Sequence, residues 1–253
     1  MASVISVTNQ KGGVAKTTTV VELAAAFARK DLKVLVIDLD SQRNATGVLL
    51  GSTNFEPEET ILEAFQKRPL LSRQIHSAPK IANLSLIPSC LQLVEAESLL
   101  SGTLDGFFRL NESLESLKSE FDFIIIDCPP SLSMITINAL VAANSIIVPL
   151  LISKFSIDGL SSILQSVETI QKRYNPHLKI LGALLVQHDA RTTLSQAMIP
   201  EIEKHINVFP VSIPRSVVVE EAHLLKSDLF SYSPDHKVTR AYSDFADQVI
   251  QRL

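Results

Sequence analysis

Cysteine, glycine and positive charge are all scarce in this sequence, and each shortage closes off a class of function. Cys90 and Cys128 are the only cysteines; they stand alone, with neither metal-ligand spacing nor a disulfide framework. The six histidines are scattered without pairing and read as surface or internally satisfied residues rather than ligands. Lys and Arg number 23 against 27 Asp and Glu, a formal charge of −4. A nucleic-acid contact would have to come from a local basic patch and not from net charge. No apolar run approaches the roughly 20 residues needed to cross a bilayer. The longest, around residues 123–126 and 145–151, are strand-sized and end at Asp127 or run through Pro149. Residues 1–8 lack the basic region and long apolar core of a signal peptide, so a cytoplasmic protein without membrane contact is expected.

What the chain does have is apolar content, 46% of its residues, enough to bury a large core. Apolar, β-branched runs at residues 3–8, 33–39, 121–127, 145–149 and 179–186 read as buried strands. Amphipathic stretches between and after them, from Lys16 onward and at 157–174, 194–205 and 238–253, read as helices. Strands that are apolar throughout and alternate with helices predict an α/β fold, a doubly wound, mostly parallel sheet covered on both faces. Residues 51–120 read as mostly polar helix and loop, with one strand at 84–88. No linker or repeat divides the chain, so 1–253 is expected to be a single domain. In such folds ligands sit at the carboxyl ends of the strands. Segments 9–18, 38–40 and 127–130 all fall there.

Two of the eight glycines are adjacent in Lys11-Gly12-Gly13-Val14-Ala15-Lys16-Thr17-Thr18, between a strand and a helix. Glycines let a loop curl so that its N–H groups face phosphate oxygens, and the following helix adds its positive end. Lys16 would reach the β- and γ-phosphates, and the Thr17 hydroxyl would sit on Mg²⁺. The strict phosphate-loop pattern is not met, because Gln10 and Ala15 stand where it has glycine.

The stretch Asn9–Thr18, with its additional Lys11, resembles the deviant Walker A motif of the ParA/MinD family of partition and positioning ATPases. Val34-Leu35-Val36-Ile37-Asp38-Leu39-Asp40-Ser41-Gln42 resembles that family's second motif, and Phe123-Ile124-Ile125-Ile126-Asp127-Cys128-Pro129-Pro130-Ser131 its Walker B segment. Asp189-Ala190-Arg191-Thr192 and Ile213-Pro214-Arg215 resemble segments typical of ParA and Soj proteins, so the likeness runs in order over nearly the whole chain.

The resemblance implies an ATPase with ATP and Mg²⁺ as cofactors, held by Lys11, Gly12, Gly13, Val14, Ala15, Lys16, Thr17 and Thr18, with Pro214 and Arg215 beside the adenine. Asp127 would orient Mg²⁺ through a water with Thr17, and Asp38 would support that site. Asp38 alone reads nearly as well as a structural strand-end carboxylate. Asp40 would position the attacking water. By residue type, Lys11 is equally a solvated loop lysine; the resemblance implies that it reaches the partner's phosphates in an ATP-held homodimer. Also implied are slow, partner-stimulated turnover, non-specific DNA contact through Arg191 and Arg215, a ParB-like protein partner and association with the nucleoid. Lys237 and Arg240 either extend that basic face or are ordinary exposed charges.

Departures from the family bear on rate and on DNA. Ala15 replaces a glycine beside Lys16, and Ser41 and Arg43 replace proline and glycine in the first switch segment. Val218 stands where Soj-like members carry a second arginine, and Glu220 and Glu221 follow it. The expectation is binding intact and hydrolysis slowed. A MinD-like or protein-array positioning ATPase, or a nucleotide-held scaffold with negligible turnover, is the alternative. The last helix is mixed in charge and reads as packed on the sheet rather than laid on a membrane.

Overall fold

The computed structural model describes residues 1–153 and 156–253. Seven strands form one sheet: β1 Ser3–Val7, β2 Val34–Asp38, β3 His76–Ser77, β4 Leu84–Ile87, β5 Phe123–Asp127, β6 Ser145–Leu150 and β7 Lys179–Leu185. Their spatial order is β3-β4-β2-β5-β1-β6-β7. All neighbours are parallel except β3, which pairs antiparallel with β4. The helices are α1 Lys16–Ala28, α2 Asn44–Leu50, α3 Leu62–Phe65, α4 Leu93–Ser101, α5 Arg109–Leu114, α6 Met134–Ala142, α7 Ser156–Arg173, α8 Thr193–Glu203, α9 Val217–Leu224, α10 Leu229–Tyr232 and α11 Lys237–Arg252.

Successive strand residues point to opposite faces, and here both faces are dry. Leu35 and Ile37 of β2, Ile124 and Ile126 of β5, and Ile146 and Val148 of β6 enter one core with α3 to α8. Val34 and Val36, Ile125 and Ile147 enter the other, with α1, α2, α9, α10 and α11. This is the expected doubly wound architecture. α7 buries Leu160, Ile163, Val167 and Ile170, one stripe at helical spacing. α11 turns Val238, Tyr242, Phe245, Ala246 and Val249 inward.

Residues 51–120 correct the expectation of a mostly polar segment. Ile61, Leu62, Phe65, Leu70, Leu93, Leu100, Leu110, Leu114 and Leu117 are all buried in the first core. Helices of four to nine residues, too short for a visible period, carry six of them, while Ile61, Leu70 and Leu117 lie outside those helices. The segment also adds β3, which is only two residues long.

β7 ends the sheet, and residues 207–213 run beside it: the Ala183 amide donates to Asn207 O at 2.8 Å and the Phe209 amide to Ala183 O at 2.9 Å. Gly182, at φ +150°, makes room there, since a Cβ would lie 2.6 Å from Asn207 O and 2.6 Å from Arg252 Nη1. Arg252 donates to Leu181 O at 2.7 Å and Val208 O at 3.1 Å, with its guanidinium 4.0 Å over the Phe209 ring.

Candidate functional site

β1 lies between β5 and β6, and the chain enters neighbours on both sides of it. The connections leaving β1, β2 and β5 at their carboxyl ends therefore meet over one crevice. Val7 pairs with Asp127, and Asp127 pairs with Asp38, so three strand ends are level. A cavity of about 520 Å³ opens above them, lined by Gly12 to Thr18, Asp40, Pro130, Gln187, Ile213, Pro214 and Arg215, among others. The expected phosphate loop, the first switch segment and the Ile-Pro-Arg segment are brought together there. Arg191 is not on this cavity: it is exposed and its guanidinium is paired with Asp189, Nη2 to Oδ2 2.9 Å. That pairing holds the Asp189 carboxyl well below the usual range.

Buried Asn9 shapes the loop. Its side chain donates to Pro149 O at 2.7 Å and accepts the Lys11 amide at 2.9 Å, tying the loop to β6. Asn9 was within the motif but carried no assigned role; an Asx turn to the residue two on is the signal that could have found it. Gly13 has φ +72°, and Ala15, leading into α1, has φ 56° and ψ 34°. The left-handed region suits glycine and strains alanine. Among the described residues no side chain caps α1. Lys16 Nζ donates to Lys11 O at 3.1 Å. Burial pushes its ammonium below the usual lysine range, while Asp127 and Asp40 oppose that shift. Lys11 itself is exposed, with Nζ 3.5 Å from Ser153 Oγ.

The two strand-end carboxylates differ. Asp38 accepts from the Thr46 hydroxyl at 2.7 Å, the Thr46 amide at 2.9 Å and the Asp40 amide at 3.1 Å. Burial pushes its carboxyl up to about 6, against those hydrogen bonds. Thr46 was not singled out in the sequence, because only folding brings it under Asp38. Asp127 is also buried, yet neither oxygen has a hydrogen-bond partner among the described residues. Burial first, then the Asp38 charge, push its carboxyl well above the usual carboxylate range, and the nearby Thr17 hydroxyl and Lys16 pull it back. Two orphaned carboxylate oxygens beside a hydroxyl fit a divalent cation completed by ligand oxygens and water. Among the described residues no group of three or more His, Cys, Asp or Glu could hold a metal without such help. Cys128 is no nucleophile: burial pushes its thiol up to about 12, and its Sγ lies 3.1 Å from Ser6 Oγ.

The family model described as an AAA domain matches residues 2–180. The sporulation initiation inhibitor protein Soj of Bacillus subtilis is 39% identical over 251 residues, covering 98% of this chain and 98% of Soj. The chain belongs to the ParA/Soj family of partition ATPases. Within that family, the chromosome partitioning protein ParA of Myxococcus xanthus is 34% identical, over 98% of this chain and 88% of that protein. Among solved structures, cobyrinic acid a,c-diamide synthase from Mycobacterium smegmatis with bound ADP and magnesium matches with a TM-score of 0.84. It is 32% identical, over 99% of this chain and 95% of that one. Members of the ParA/Soj family thus match this chain over nearly its whole length. Among the described residues, no helix is long and apolar enough to cross a membrane.

Proposed function

We propose that residues 1–253 form one ATPase domain that binds ATP with Mg²⁺ in the cavity, closes as a homodimer over two nucleotides, and drives partition of DNA. The observation that carries the reading is Asp127, buried close to Lys16 and Thr17 with neither oxygen paired among the described residues. Lys16 leaves its carbonyl partner in the loop for the β- and γ-phosphates, and the uncapped head of α1 offers its amides to the same anion. Thr17 and Asp127 hold Mg²⁺, which offsets phosphate charge. Asp40 orients the attacking water, with its own backbone fixed through Asp38. Pro214 and Arg215 border the nucleoside end. Lys11, exposed on the loop, reaches the partner's phosphates and supplies in trans the charge an arginine finger supplies elsewhere.

Non-specific DNA contact falls to Arg191 and Arg215, and a ParB-like protein stimulates turnover at the nucleoid. The buried face of α11 supports a partition role over a membrane-positioning one, since its apolar side is spent on the core. A second reading, a nucleotide-held scaffold with negligible turnover, is favoured by one feature, the left-handed Ala15 beside Lys16. Phosphate release with and without DNA separates the two. The main reading is tested by sizing the protein with ATP, with ADP and without nucleotide, using Asp40→Ala as a trap. A dimer formed with ATP alone is expected, and a constitutive dimer, or none, overturns it.

A further inference from the structure

The lining of the cavity changes character from one end to the other. Gly12 to Thr18 bring backbone N–H groups and Lys16, which suit phosphates, whereas Val186, Ile213, Pro214, Val217 and Val219 make the nucleoside end largely apolar. A flat base suits such walls, but a sugar rich in hydroxyls does not. The Ser216 hydroxyl is already committed, accepting the Val218 amide at 3.3 Å as the cap of α9, and Tyr242 is wholly buried. Exposed polar side chains at that end are Gln187, Arg215 and Glu220. Arginine only donates, glutamine donates and accepts, and a carboxylate only accepts. Like charge keeps Glu220 from phosphate oxygens, while the vicinal hydroxyls of a ribose offer two donors to its two oxygens. Other nucleotide-binding sheets hold a ribose hydroxyl with an acidic side chain in the same way.

Glu220 is both free and held in place. Val217 and Glu220, three residues apart on α9, both line the cavity. Among the described residues the Glu220 carboxylate enters no hydrogen bond or ion pair, whereas Glu221, next in the chain, accepts the Tyr232 hydroxyl at 3.2 Å. The helix is fixed at both ends: Ser216 caps its first turn, and Lys80 Nζ donates to Leu225 O at 3.3 Å and Lys226 O at 2.7 Å past its last. A preorganised acceptor loses little entropy when a ligand meets it. A carboxylate in the first turn also complements the helix dipole, but that role is indifferent to the sugar.

We propose that Glu220 is a specificity-determining residue whose carboxylate accepts the ribose hydroxyls of the bound nucleotide, so that the site prefers ribonucleotides to 2′-deoxyribonucleotides. A sugar without its 2′-hydroxyl leaves one carboxylate oxygen unmatched and binds more weakly. This assignment rests on the ATP-site reading and extends it to the sugar.

Calorimetric titration of the full chain with Mg²⁺ and ADP, 2′-deoxy-ADP or inosine diphosphate reads the preference without hydrolysis. The protein is expected to bind ADP about tenfold tighter than 2′-deoxy-ADP, and Glu220→Ser to shrink that ratio to about twofold or less. Taking the ratio cancels any uniform gain from removing a negative charge near the phosphates. Glu221→Ser is expected to keep the full ratio, and thermal melts verify that both variants are folded. Equal binding of ADP and 2′-deoxy-ADP overturns the proposal, as does a ratio that Glu220→Ser leaves intact or that Glu221→Ser abolishes. If Glu220→Ser instead erases a preference for ADP over inosine diphosphate, the carboxylate faces the base amine and the sugar assignment falls. If no nucleotide binds, the ATP-site reading fails too, whereas ADP bound without regard to its sugar sinks this proposal alone.

Discussion

Helices α1 and α2 start at the same edge of the sheet from the same unusual backbone, and they are finished differently. Ala15 leads α1 at φ 56°, ψ 34°, and Arg43 leads α2 at φ 60°, ψ 33°. Neither residue caps its helix, whereas Thr192, Ser216, Asp228 and His236 cap α8, α9, α10 and α11 with their own side chains. At α2 the chain supplies a substitute from elsewhere: Asp38 accepts the Thr46 amide and hydroxyl. At α1 no side chain does so, and Asp127, close to Lys16 and Thr17, has no hydrogen-bond partner among the described residues. One helix start is completed internally; the other is left open, and in the proposed function an anion and its counter-ion complete it.

Breaking the open start should act on binding, and breaking the closed one on stability. Lys16→Ala is expected to weaken ATP binding by about a hundredfold or more, roughly 3 kcal/mol, with the nucleotide-free urea midpoint nearly unmoved. Calorimetric titration and urea unfolding check both halves. Asp38→Ala strips a helix start of its cap and leaves Thr46 unpartnered, so a loss of about 2–3 kcal/mol in the nucleotide-free protein is expected by urea unfolding. If Lys16→Ala destabilises as much as Asp38→Ala, the contrast collapses.

Smaller substitutions sharpen it. Ala15→Gly relieves a left-handed alanine worth about 1–2 kcal/mol, and the added freedom of the unfolded chain takes back about 0.5–1 kcal/mol. A net gain of about 0.5 kcal/mol with faster phosphate release is expected, read from melting and a phosphate assay. The smallest effect concerns Glu22, buried on α1, whose carboxyl burial pushes above its usual range while His223 and the Leu229 amide oppose this. A raised carboxyl keeps its proton longer in the folded state, so its contribution falls as pH rises from the unfolded value, near 4.5, through the folded one. Glu22→Gln should flatten that part of the stability profile above pH 4.5, measured by melting across pH.

Much of this contrast was legible in the sequence, because strand ends and glycine turns are local signals. Continuous apolar runs ending in Asp38 and Asp127 marked two strands and their edge, and Lys-Thr-Thr after paired glycines marked α1. Ala15 and Arg43 stood out as replacements for glycine, and both occupy left-handed backbone. What could not be read was long-range or short-lived. Nothing in the run to Thr46 announces that its hydroxyl will meet Asp38, since only packing of α2 under β2 makes the pair. The strand at His76–Ser77 is below any period, and α3 at Leu62–Phe65 completes barely one turn.

Arg252 has a consequence for how copies of this chain can meet. A parallel sheet ending in an open strand invites pairing with another chain. Here residues 207–213 occupy that border, and Arg252 pins them to β7 through two carbonyls across the space left by Gly182. At the opposite border β3 offers two residues. Growth by strand addition is therefore obstructed at one rim and starved at the other.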